Sequence, residues 1–332
     1  MAVPSSPELS FAQCAVTLAS RLCQSVRSSI SAEAIEKRDR SPVTIADFGS
    51  QAIVCRALAE SFPDDVMIAE EDSAVIRGPE TASARDRIRA EMERVGVTGS
   101  EEEILAWIDR GGHASASGRF WTLDPIDGTK GFLRGEQYAI SLAMLIDGRL
   151  ELAVVGCPNL PVPGSSSAET GGLFFAVRGE GAWAMPLGGP LESATRLSVS
   201  SVTSSDQARF CESVESGHSA HDVSAQIAAR LGMTLSPERL DSQAKYAVVA
   251  SGRADIYLRM PTRADYQEKI WDHAGGALLV EEAGGRVTDL AGQPLNFARG
   301  RELSANRGIV VTNGALHEAV LAAVDAVVSS DK

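Results

Sequence analysis

The stretch Trp121-Thr-Leu-Asp124-Pro-Ile-Asp127-Gly-Thr129-Lys-Gly131 limits the fold more than any other part of this chain. Phe120 to Leu123 has strand character, and Pro125 holds Asp124 extended because its ring excludes the helical region for the residue before it. Gly128 allows a tight turn. Thr129 then stands at a helix start, where a hydroxyl and backbone N–H groups favour anions. Strand, turn and helix start thus carry two carboxylates that can converge on one point, and like charges so close repel unless they are protonated or share a cation. An Asx turn with a solvated aspartate is the plainer reading of these residues. A site for metal plus phosphate is the other.

The choice turns on what surrounds the pair. The 332 residues hold 31 Lys and Arg against 44 Asp and Glu, a net charge of -13. That balance argues against general affinity for nucleic acid or an anionic membrane. An anionic ligand would need local help, and metal ions bound by clustered acids could supply it. Hydrophobic residues at 44% and charged residues at 23% describe a globular chain of one large or two ordinary domains rather than a disordered one. No apolar run approaches a bilayer span, and the opening MAVPSSPELSFAQ lacks a basic start followed by an apolar core, so the chain reads as soluble and cytoplasmic. Cys14, Cys23, Cys55, Cys157 and Cys211 are odd in number and form no CxxC pair, which fits reduced, mostly buried thiols.

Ala12, Ala15, Val16, Ala19, Leu22, Cys23 and Val26 recur at spacings of three and four behind Pro7, an amphipathic helix. Ala46 to Phe62 gives a second helix, ended by Pro63-Asp64-Asp65, and the strand Val66 to Ala69 delivers Glu70-Glu71-Asp72. Residues 78–118 read as an inserted, mobile helical flap with few core contacts, with a capping box at Ser100 to Glu103. Antiparallel strands follow, with a hairpin turn at Arg178-Gly179-Glu180-Gly181. Gly188-Gly189-Pro190 is the expected boundary between an N-terminal α/β domain (1–189) and a C-terminal one (190–332). The second half alternates strand and helix, and its helix after Trp271-Asp272 stops at Gly284-Gly285.

Taken in order, Asp47, Glu70-Glu71, Asp124-Pro-Ile-Asp127-Gly-Thr129 and Trp271-Asp272-(11 residues)-Gly284-Gly285 resemble the inositol monophosphatase superfamily of magnesium-dependent, lithium-sensitive phosphatases. Within it the chain is similar to the 3′(2′),5′-bisphosphate nucleotidases. That likeness rests on Lys130 to Gly135, Glu212 to Ser219, Asp241-Ser242-Gln243-Ala244-Lys245-Tyr246, Tyr257-Leu-Arg259 and Glu268 to His273. Only residues 78–118 depart from the pattern.

The resemblance implies an α/β (α+β) fold, a layered αβαβα sandwich of the inositol monophosphatase and fructose bisphosphatase type with two sub-domains. It implies two to three magnesium ions: Glu70, Asp124 and the Ile126 carbonyl on one, Asp124, Asp127 and Asp272 on a second, a weaker third near Glu70. Asp47 and Thr129 would orient and deprotonate the attacking water. Gly128, Thr129, His218, Ser242, Lys245, Arg259 and Asp272 would hold adenosine 3′,5′-bisphosphate, a small-molecule substrate, in a monomeric enzyme that needs no nucleic acid or membrane partner. By themselves Lys245 reads as a solvated helix residue and His218 as a loop histidine. An inositol phosphate phosphatase and a non-catalytic nucleotide sensor are the alternatives. The His218, Ser242, Lys245 and Arg259 set argues against the first, and the retained Asp47 and Thr129 against the second. No Gly-x-Ser-x-Gly elbow supports a serine hydrolase.

Overall fold

The computed structural model describes residues 2–29, 41–115, 117–164, 171–214, 221–261, 263 and 265–330. Helix α1 (Pro7–Ser28) begins where the Ser6 hydroxyl accepts from the Leu9 N–H at 3.1 Å and Pro7 fills the first turn. Its face from Leu9 to Val26 is buried, as the spacing of its apolar residues predicts. Helix α2 (Ser41–Ser61) starts earlier than expected and is buried along most of its length from Ile45 to Leu58, since neighbours cover it on every side.

Part of that cover is α3 (Ala82–Arg94) and α4 (Glu101–Asp109), both within residues 78–118. Ile88, Met92, Ile104, Leu105 and Ile108 lie in one core with α1 and α2, so the expectation of few core contacts there is corrected. Each such side chain contributes about 1.5–3 kcal/mol by leaving water. The Ser100–Glu103 capping box is present.

The first sheet runs β1 (Val66–Ala69), β2 (Arg119–Asp127), β3 (Ala139–Ile146), β4 (Arg149–Cys157), β5 (Gly172–Val177), β6 (Gly181–Pro186), β7 (Thr195–Arg196) in that spatial order. Only β1 and β2 pair in parallel. The β5–β6 turn falls at Arg178 to Glu180, and β7 extends this sheet past Gly188-Gly189-Pro190. The second sheet orders β11 (Arg286–Thr288), β12 (Ile309–Thr312), β10 (Ile256–Arg259), β8 (Phe210–Glu212), β9 (Glu238–Arg239).

Alternation along β3 assigns the layers. Ile140, Leu142 and Met144 face α1 and α2, while Ala139, Ala143 and Leu145 face the opposite core. That second core holds α7 (Ala244–Ala250) and α8 (Ala274–Glu282), which lie between the two sheets. Helices α6 (His221–Arg230) and α9 (His317–Ser330) cover the outer face of the second sheet. Five layers result, αβαβα. Gly276 lets α7 and α8 touch: a Cβ there would overlap the Tyr246 ring. No helix among the described residues is long and apolar enough to cross a membrane.

Candidate active site

Strand β2 runs through the whole acidic motif instead of stopping before it. Asp124 pairs with Ser141 and Asp127 with Ala139, and the register shifts between them, where Pro125 has no N–H to give the ladder. Both aspartates therefore reach one cleft between the sheets. Gly128 follows at φ +85°, and Thr129 opens the short helix α5 (Thr129–Arg134). A Cβ on Gly128 would meet Ser242 Cβ at 2.9 Å, so glycine serves here both for its backbone angle and for close approach of the second half. Ser242 is itself left-handed, at φ +69°, strain of a kind found at functional sites.

One wall of the cleft carries Glu70, Asp124, Asp127 and Asp272 beside Ile126. Burial first, then the negative charge of Asp272, Glu71 and Asp127, pushes the Glu70 carboxyl well up. Asp124 is raised by burial and by Glu70, Asp127 and Asp272. Asp272 is raised too, burial leading, although His273 opposes it. Asp47 is 5% exposed and does not line the cleft; it stands behind the wall on α2, its own carboxyl raised by burial, Glu71 and Glu70.

Such a wall fits a divalent cation. Asp124 Oδ1 is buried without a hydrogen-bond partner among the described residues, and the donors are hard oxygens of the kind magnesium prefers. Glu268, Asp272 and His273 also bring one ligand atom each within 4.8 Å of one another. Glu268 and His273 are bonded to each other and to Arg259 and Tyr246, however, which leaves their ligand atoms already used.

The rest of the lining is cationic and aromatic. Lys245 is 3% exposed, gives a hydrogen bond to the Leu240 carbonyl at 3.3 Å and lies 5.2 Å from the centre of the Tyr257 ring. Burial lowers its pKa, while Asp127 works against that. Arg259 enters from β10, and Tyr246, Tyr257, Tyr266, Ser213 and Ser242 complete this lining. His218 lies outside the described residues.

Several residues that hold the walls together carry no sequence signal of their role. Gln243 donates its backbone N–H to Asp127 Oδ2 at 2.5 Å, and its amide donates to the Trp271 carbonyl at 2.9 Å. Its Oε1 accepts from Ser141 and from the first turn of α8 at Gly276. Arg301 spans the halves: its guanidinium donates to the Ala69 carbonyl at 2.7 Å and stacks 4.6 Å from the Trp271 ring centre. Gln51 fixes the loop after β1 by bonding both backbone groups of Glu71 and the Ile108 carbonyl.

A five-layer sandwich with buried carboxylates converging from both halves suits a cation-assisted phosphate-ester site, and the chain belongs to the inositol monophosphatase family, whose sequence profile matches residues 8–329. The family is generally magnesium-dependent. Among curated relatives, a 3′(2′),5′-bisphosphate nucleotidase of Emericella nidulans is 44% identical over 94% of this chain and 96% of its own. One of Schizosaccharomyces pombe is 44% identical over 93% and 90%. A Thermotoga maritima IMPase superposes with a TM-score of 0.64 at 21% identity, covering 98% of this chain and 100% of that one, a likeness of fold. An Anabaena inositol monophosphatase gives 0.60 at 21%, over 96% and 94%.

Proposed function

We propose that this chain is a magnesium-dependent 3′(2′),5′-bisphosphate nucleotidase. It removes the 3′-phosphate of 3′-phosphoadenosine 5′-phosphate, giving AMP and phosphate, and it accepts the 5′-phosphosulfate analogue. The observation that carries this reading is one cleft lined both by Glu70, Asp124, Asp127 and Asp272 and by Lys245 and Arg259. A nucleoside with a phosphate at each end needs a reaction centre and a separate anion seat. Relatives at 44% identity bear the same name.

Glu70, Asp124, the Ile126 carbonyl, Asp127 and Asp272 would hold two magnesium ions, with a third beside Glu70. Bound magnesium would offset the charge of the wall, polarise the phosphoryl oxygens and acidify a nearby water. The Thr129 hydroxyl orients the attacking water, and Asp47, an electrostatic neighbour of Glu70 and Asp124 just outside the cleft lining, takes its proton through a bridging water. As the water oxygen bonds to phosphorus, the bond to the 3′-oxygen breaks, and that oxygen takes up a proton from solvent to leave as the ribose hydroxyl, while Asp47 returns its proton to solvent. Lys245 and Arg259 seat the 5′-phosphate by charge-assisted hydrogen bonds. Gly128 and Ser242 form the floor between the two ends, and the resemblance adds His218 to the nucleotide side.

The test is phosphate release with magnesium across the two adenosine substrates, inositol 1-phosphate, inositol 1,4-bisphosphate and fructose 1,6-bisphosphate. The adenosine substrates should lead. An inositol or sugar phosphate in first place would reassign the cationic lining, and no release from any of them would leave a binding protein.

A further inference from the structure

Arg259 is held from behind. Its Nε donates to Glu268 Oε1 at 3.3 Å, and the other Glu268 oxygen lies 3.1 Å from His273 Nε2. His273 Nδ1 lies 2.8 Å from the Tyr246 hydroxyl. A carboxylate only accepts, so Nε2 donates to Glu268 and the tyrosine hydroxyl satisfies Nδ1. Glu268 is 5% exposed and His273 and Tyr246 1% each, whereas the Arg259 side chain keeps 18% of its surface open at the cleft. Both Glu268 oxygens are therefore taken by Arg259 and His273, and one edge of the guanidinium is fixed. The guanidinium also meets the Tyr266 hydroxyl, and its open surface lines the cleft.

We infer that Glu268 is a positioning residue for substrate selection: through the Tyr246–His273–Glu268 chain it orders the Arg259 guanidinium before an anion arrives, and so sets the preference for substrates with a second phosphate. The inference rests on the seat proposed above for the 5′-phosphate. A pinned arginine loses less freedom on binding than a mobile one.

The experiment compares kcat/KM for 3′-phosphoadenosine 5′-phosphate with that for adenosine 3′-monophosphate, which lacks the distal phosphate, and reads their ratio. Arg259→Ala should lower the ratio by about ten- to a hundredfold, and Glu268→Gln by about tenfold. Added to Arg259→Ala, Glu268→Gln should lower it no further, the mark of action through the arginine. An unchanged ratio in Glu268→Gln, or an equal drop on both backgrounds, overturns the positioning role. An unchanged ratio in Arg259→Ala overturns the seat itself, so the two failures are distinct. Should Glu268→Gln melt early, Tyr246→Phe removes only the far hydroxyl and should lower the ratio about threefold. No drop in that variant, with Arg259→Ala still discriminating, also overturns the role.

Discussion

Asp124 and Asp47 are electrostatic neighbours with different proposed work, and substitution separates them. Asp124→Asn should abolish magnesium binding in calorimetry together with turnover. It should not lower the melting temperature in chelator, because it removes a buried carboxylate whose Oδ1 has no partner among the described residues. Unchanged magnesium affinity would count against its place in the wall. For Asp47→Asn we expect kcat to fall about 10²–10⁴-fold, the range for a lost general base, with KM and magnesium affinity retained. A raised KM at intact kcat would contradict that role. The acids were legible in the sequence because local geometry binds them: proline, glycine and threonine sit within a few residues of Asp124 and Asp127. Gln243 and Arg301 were not, since their roles depend on partners 116 and 232 positions away in the chain. Gln243, Glu268 and Tyr246 fell inside quoted motifs, but spacing cannot name the atom a side chain meets across the fold.

At the scale of elements, the strand and helix order of the second half and the helices within residues 78–118 followed from the pattern, and the packing of residues 78–118 did not. Helix α3 is mostly charged and buries only Ile88, Glu91 and Met92, so its apolar face is too narrow to stand out. Helix α2 is apolar nearly all round, which hides the side that α3 and α4 cover. Recognising that α2 needs cover on a second side would have placed them. Ile108, fully buried at the end of α4, tests the packing: Ile108→Ala should cost about 2–5 kcal/mol in chemical denaturation. A loose flap would show almost no change. Because the Ile108 carbonyl also receives the Gln51 amide, that helix supports the loop carrying Glu70 and Glu71.

Across the whole molecule the acidic wall couples stability to pH. Burial and neighbouring acids raise Glu70 to about 8 and Asp272 to about 6 in the folded protein, above the ordinary carboxylate values of about 4. The folded state then binds more protons than the unfolded one, so stability falls as pH rises from about 4 through about 8. In chelator the melting temperature should drop across that window. Saturating magnesium should flatten the slope, since a cation then does what the protons did. Equal slopes with and without magnesium would mean that the wall does not bind the ion.

Arg301 adds an order in time. A ribosome releases β1 and its Ala69 carbonyl long before the arginine that grips it, and Asp272 follows Asp124 by most of the second half of the chain. A nascent chain can build the first sheet early, yet its site must stay open at one side until the last third has emerged. Translation itself thus delays assembly of the complete pocket until the chain is nearly finished.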